Sequence, residues 1–183
     1  MSIQKQLYLL KKYALPENKF NHSVNVARIA YFIAEQLEKK SIDVDKNKVY
    51  VGALLHDIGY ALALTEHDKI NHAELAAAIL KDEGFGEYSD IVLKHSIKSW
   101  ISKLNAPLTL EEKVVNYSDK RDKNGRIVTL AEREKIFLYS LKYEADLIKN
   151  AFEEVRKFEK EIFSIINKKP ENLKDIIMEK FNI

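Results

Sequence analysis

Cysteine is absent from the 183 residues. That excludes disulfides, a thiolate nucleophile and every cysteine-based zinc site at once. Glycine occurs five times and proline three, and no long run alternates apolar with polar residues, so the strand and turn signals of a β protein are lacking. No apolar stretch approaches the roughly 18 residues that would span a membrane. The first residues, "MSIQKQLYLLKKYALPENK", lack the charged-then-apolar layout of a signal peptide. An excess of charge of one sign is missing as well: 30 basic residues face 28 acidic ones, for a net charge of +2. Nothing here makes an electrostatic case for nucleic acid. These absences lead to the expectation of a soluble, cytoplasmic chain with no membrane partner.

What is present is 46% hydrophobic and 32% charged residues, the balance of a globular protein with one core. Helix-period patterns dominate. They predict helices over residues 3–14, ended near Pro16; over 22–40, with Val26, Ile29, Ala30, Ile33 and Leu37 on one face; and over 46–59, with Val49, Gly52, Ala53 and His56 on one face. A fourth starts at Asn71, where "NHAE" offers a cap, and stops at the glycines of "DEGFGE". A fifth covers 88–103. "TLEE" (109–112) and "TLAE" (129–132) are capping boxes opening two more. "RDKNGR" between them reads as a loop turning at Asn124-Gly125. Helical spacing continues to about 168, Pro170 breaks it, and a short helix ends the chain. The fold class is all-α: a single compact bundle of about eight helices over 1–183, with boundaries good to about two to four residues.

One stretch stands out. "VYVGALLHDIGYALAL", Val49 to Leu64, carries adjacent His56 and Asp57 in an apolar run. Each would cost about 1–3 kcal/mol if buried without a partner. Other polar groups sit in comparable places: His22 opens the second helix, His72 lies in the first turn of the fourth, His95 shares the face of Ile91 and Val92, and Asp119 shares that of Val115. Ligand-type side chains on inward faces of several helices are how bundles build metal sites. Asp122 competes with Asp119 for the aspartate role, and helical phase with Val115 favours Asp119. His67, Glu66 and Asp68 read as loop residues at the surface. Trp100 and the tyrosines of "LYSLKYE" read as core.

His22, then His56-Asp57 with Ile58-Gly59, then Asp119 in "NYSDKR" resembles the HD superfamily of metal-dependent phosphohydrolases, in its H-D-I-G branch. The resemblance runs from about residue 20 to 135. It implies that His22, His56, Asp57 and Asp119 hold a metal. Members with two metals add two intervening histidines, matched here by His72 and His95, and Asp57 would then bridge the ions. The set is similar to that of bacterial HD-type enzymes that split diadenosine tetraphosphate symmetrically.

Mixed histidine and carboxylate ligation suits Fe, Mn, Zn, Co or Ni. One or two such ions would activate a water against a phosphoester or phosphoanhydride bond, in a nucleotide or another small phosphorylated substrate. Tyr60 stands where many relatives follow the motif with Lys or Arg, and Ala76 stands where many have Gly. Tyr60 removes the family's usual phosphate contact, so the expected substrate-binding cations are Lys98, Lys120, Arg121 and Arg126, with Arg121 foremost. A di-iron HD-type oxygenase and a non-catalytic metal or nucleotide sensor are the competing readings. The amphipathic C-terminal third is compatible with a homodimer surface or with a helix of the bundle.

Overall fold

The structure is a computed structural model that describes residues 1–65, 71–102, 107, 109–140 and 143–182. His67, Glu66 and Asp68 lie outside the described residues, as do two positions of "LYSLKYE". Helices make up the fold: α1 Ile3–Lys12, α2 Glu17–Glu38, α3 Lys46–Leu55, α4 Tyr60–Thr65, α5 His72–Asp82, α6 Ser89–Leu93, α7 Ile97–Ser102, α8 Leu110–Lys120, α9 Leu130–Ser140, α10 Ala145–Ile165 and α11 Leu173–Phe181. A two-residue hairpin, β1 (Asp122–Lys123) with β2 (Arg126–Ile127), interrupts them. The all-α bundle holds, with more and shorter helices than the periodicity predicts.

The helix starts are local chemistry. Ser2, Asp45, Asn71 and Thr109 each accept a backbone N–H of the first turn, satisfying donors that have no partner inside the helix. Thr109 and Glu112 close a reciprocal capping box. Thr129 and Glu132 do the same ahead of α9. Asn124 and Gly125 both take positive φ, 52° and 82°, the pair of values that a tight hairpin turn demands.

Two predicted helices are broken instead. The run 46–59 ends at Leu55, turns through His56 to Gly59, and restarts as α4. Gly59 sits against the start of α5: a Cβ there would lie 2.5 Å from the His72 carbonyl oxygen and 2.6 Å from the Ala76 nitrogen. The run 88–103 breaks at Lys94–Ser96. Its freed carbonyls are taken by α8, where Asn116 Nδ2 donates to Lys94 O at 2.7 Å and the Lys120 ammonium donates to His95 O.

Helix α2 is the central element and packs against α3, α8 and α11. One buried cluster runs from Leu9 to Ile177. Helix α10 feeds it Ile148, Phe152, Val155, Phe158 and Ile162, each worth about 1.5–3 kcal/mol when fully buried. Its apolar face is therefore spent inside the bundle. Trp100 and Tyr143 lie partly buried against the cluster, but Tyr139 is 74% exposed, which corrects its reading as core. No helix among the described residues is long and apolar enough to cross a membrane.

Candidate metal centre

The break after Leu55 explains the His-Asp doublet. Neighbours on a continuous helix point about 100° apart; in this turn both side chains converge, with His56 Nε2 3.6 Å from Asp57 Oδ2. His22 arrives from α2, His72 from the first turn of α5, His95 from the gap between α6 and α7, and Asp119 from the last turn of α8. His22 Nε2 lies 3.0 Å from Asp119 Oδ1 and 3.2 Å from His56 Nε2. His72 Nε2 lies 3.1 Å from His95 Nε2 and 3.4 Å from Asp57 Oδ1. His95 Nε2 is 3.6 Å from Asp57 Oδ1. All six side chains thus meet in one place, and all but the half-exposed His72 are buried.

Three of the imidazoles are oriented alike. Nδ1 of His56 donates to Ala53 O at 2.6 Å, Nδ1 of His95 to Val92 O at 2.5 Å, and Nδ1 of His22 faces Asp122 Oδ1 at 2.6 Å. With Nδ1 taken up by these acceptors, Nε2 of each ring points inward. Paired Nε2 atoms about 3 Å apart, flanked by carboxylates, are a donor set that fits a divalent cation. Two groups of atoms close to within 4.8 Å: His22, His56 and Asp119, and His56, Asp57 and His95. Such an ion would be held by those residues together with His72.

Protonation follows the packing. Burial pushes His56 down to about 3 and His72 to about 4, against the opposing pull of Asp57, so both stay neutral and able to ligate. Burial lowers His22 too, but its hydrogen bonds to Asp119 and Asp122 outweigh that and raise it to about 9. Burial penalises the Asp57 and Asp119 carboxylates, yet the groups around them hold both well below the usual range: His56, His95 and Lys19 for Asp57, Lys120 and His22 for Asp119.

The expected phosphate contacts lie elsewhere. Lys120 is fully buried and bonds the His95 carbonyl and Asp119 Oδ2; it supports two ligands and has no face for substrate. Arg121 is turned away from the cluster. Its Nε donates to Val128 O at 2.8 Å, one terminal nitrogen to the Tyr117 hydroxyl and to Glu159 Oε2 at 2.8 Å, and the other to Pro170 O at 2.9 Å. It ties α8 to the hairpin, to α10 and to the turn before α11, which corrects its reading as the phosphate ligand. Lys98 and Arg126 are exposed, on α7 and β2, and the structure draws neither into the cluster.

Sequence reasoning missed the cations that are at the cluster. Lys19 Nζ lies 2.9 Å from Asp57 Oδ2. Arg133 Nη2 lies 4.0 Å from Asp119 Oδ1. Lys19 carried a signal, one turn ahead of His22 on the same face; Arg133 reaches the site from α9, beyond the hairpin, and carried none. Asp122 serves a different nitrogen of His22 from Asp119, and is itself held by Asn25 Nδ2 at 3.1 Å and the Gly125 N–H at 2.9 Å.

The HD domain profile matches residues 20–124, more than half of the chain and the span that carries five of the six clustered side chains together with the sixth at its end, Asp119. The chain belongs to the HD domain family. An uncharacterised protein of Methanocaldococcus jannaschii is 33% identical over 130 residues, 65% of this HD protein and 74% of that one. A tRNA (cytidine(56)-2'-O)-methyltransferase of Thermoplasma volcanium is 33% identical over 124 residues, but those are only 34% of its length. A crystal structure described as a predicted HD superfamily hydrolase, from an uncultured Thermotogales bacterium, aligns with a TM-score of 0.49 at 20% identity, over 88% of this chain and 89% of that one.

Proposed function

We propose that this HD protein is a metal-dependent phosphohydrolase that cleaves a phosphoester or phosphoanhydride bond in a small phosphorylated substrate such as a nucleotide. The observation that carries the reading is the convergence of His22, His56, Asp57, His72, His95 and Asp119 with their inward Nε2 and carboxylate atoms. One or two divalent transition ions, of the Fe, Mn, Zn, Co or Ni kind, would supply water acidification and polarisation of phosphoryl oxygens. The chain's own part is to keep His56 and His72 neutral through burial, to orient His56 and His95 through the carbonyls of Ala53 and Val92, and to keep Asp57 ionised. A serine or cysteine nucleophile is not needed for this chemistry. Near-neutral net charge suits a small substrate better than a polyanion.

The test is elemental analysis of the purified protein, followed by a panel of mono- and dinucleotides and phosphomonoesters in oxygen-18 water. Metal should co-purify, and one labelled oxygen should enter the phosphate product. His56→Ala and Asp57→Ala should each remove most of the metal and the turnover. Metal retention with no phosphate release from any substrate, or turnover that needs dioxygen, would remove the hydrolase reading.

A further inference from the structure

The cations that face the cluster are more numerous than its carboxylates. Lys19, Lys120 and Arg133 approach Asp57 and Asp119 directly. Three cations therefore meet the two carboxylates of the cluster, Asp57 and Asp119, before any divalent ion is counted. Positive charge in a poorly solvated place requires an anion.

Two of those cations also have donors left over. Lys120 is spent on the His95 carbonyl and Asp119. Lys19 has one hydrogen bond, to Asp57, and three N–H groups. Arg133 stands 4.0 Å from Asp119, too far for a full hydrogen bond, and its Nε is buried with no acceptor. Its guanidinium is held over the Phe137 ring, 4.9 Å from the centroid.

Tyr60 fits the same picture. It occupies the position after Gly59 at which a basic residue would stand, and its ring lies 4.1 Å beneath the Lys19 ammonium, a distance at which ring and cation attract. We propose that Lys19 and Arg133 form an anion-binding rim for the phosphoryl group of the substrate, with Tyr60 holding Lys19 where the cation after the motif would otherwise be. The inference rests on the phosphohydrolase reading for the kind of anion. The location of the rim comes from the geometry alone.

The probe is inorganic phosphate, titrated into the metal-replete protein and followed by calorimetry and by phosphorus-31 line broadening. Lys19→Gln and Arg133→Gln should each weaken phosphate by about tenfold, the worth of one charge-assisted hydrogen bond, with metal content unchanged. Lys40→Gln, in the exposed turn after α2, should change nothing. Tyr60→Lys in the Lys19→Gln background should restore affinity by returning a cation to the position after Gly59. Phosphate binding within twofold of wild type in the Lys19→Gln, Arg133→Gln double variant would overturn the rim. So would loss of metal from either single variant, which would make the residue a support of the ligands. Rim-dependent phosphate binding without hydrolysis of any substrate leaves the rim standing and removes the hydrolase reading. Hydrolysis whose KM is unchanged in the double variant does the reverse.

Discussion

His22 is gripped by carboxylates from both ends, Asp119 at Nε2 and Asp122 at Nδ1. Asp122 sets which nitrogen carries the proton, so its removal acts on the metal through another residue. Asp122→Ala should lower divalent-ion affinity about 10- to 100-fold, and Asp122→Asn, which keeps an acceptor for Nδ1–H, should lose less. Competition against a chelating dye measures both. The same histidines fix how the metal-free protein responds to pH. Between pH 6.5 and 9 the folded form holds a proton on His22 that the unfolded chain releases, so stability falls as pH rises through that window. Below 6.5 the unfolded chain protonates residues that the fold keeps neutral, His56 until about 3 and His72 until about 4, so stability falls as pH drops. Chelator-treated protein should therefore melt highest near pH 6.5. A melting temperature that climbs steadily from pH 6.5 to 9 would contradict the His22 arrangement. At this scale much was legible in the sequence. Buried positions for His56, His95 and Asp119 follow from helical phase. The directions of Lys120 and Arg121 do not, because each step along α8 turns a side chain by about 100°, and adjacency to Asp119 in sequence is separation in space.

Among the elements, caps and the Asn124-Gly125 turn were readable because their chemistry is local. The breaks at His56–Gly59 and Lys94–Ser96 were not, because what stabilises them comes from distant residues: α5 lying on Gly59, and Asn116 and Lys120 accepting the duty of bonding carbonyls that a continuous helix would have used. Gly59→Ala tests the first. Its Cβ would meet backbone atoms of His72 and Ala76, which cannot rotate away, so α5 must retreat and take His72 with it. The variant should fold less stably, by about 1–3 kcal/mol, and should bind metal with reduced stoichiometry in elemental analysis.

For the molecule as a whole, α10 joins the bundle through its buried apolar face and through Glu159, which meets Arg121 and the Tyr117 hydroxyl. Arg121→Ala should cost on the order of 3 kcal/mol of stability, since it takes the cation from the partly buried Glu159 and the donors from the carbonyls of Val128 and Pro170, while phosphate affinity per folded molecule stays the same. Thermal melts and the phosphate titration separate the two. The end of α8 carries a further consequence. Asp119, Lys120, Arg121 and Asp122 follow one another in the chain, yet they serve the cluster, the His95 carbonyl, the α10 side of the bundle and His22 in turn. Four distant parts of the molecule are registered on four successive residues. That segment cannot change length: inserting or deleting one residue there would reassign every one of these tasks at once, whereas the exposed corner at Ser41, between α2 and α3, can absorb an added residue without touching any of them.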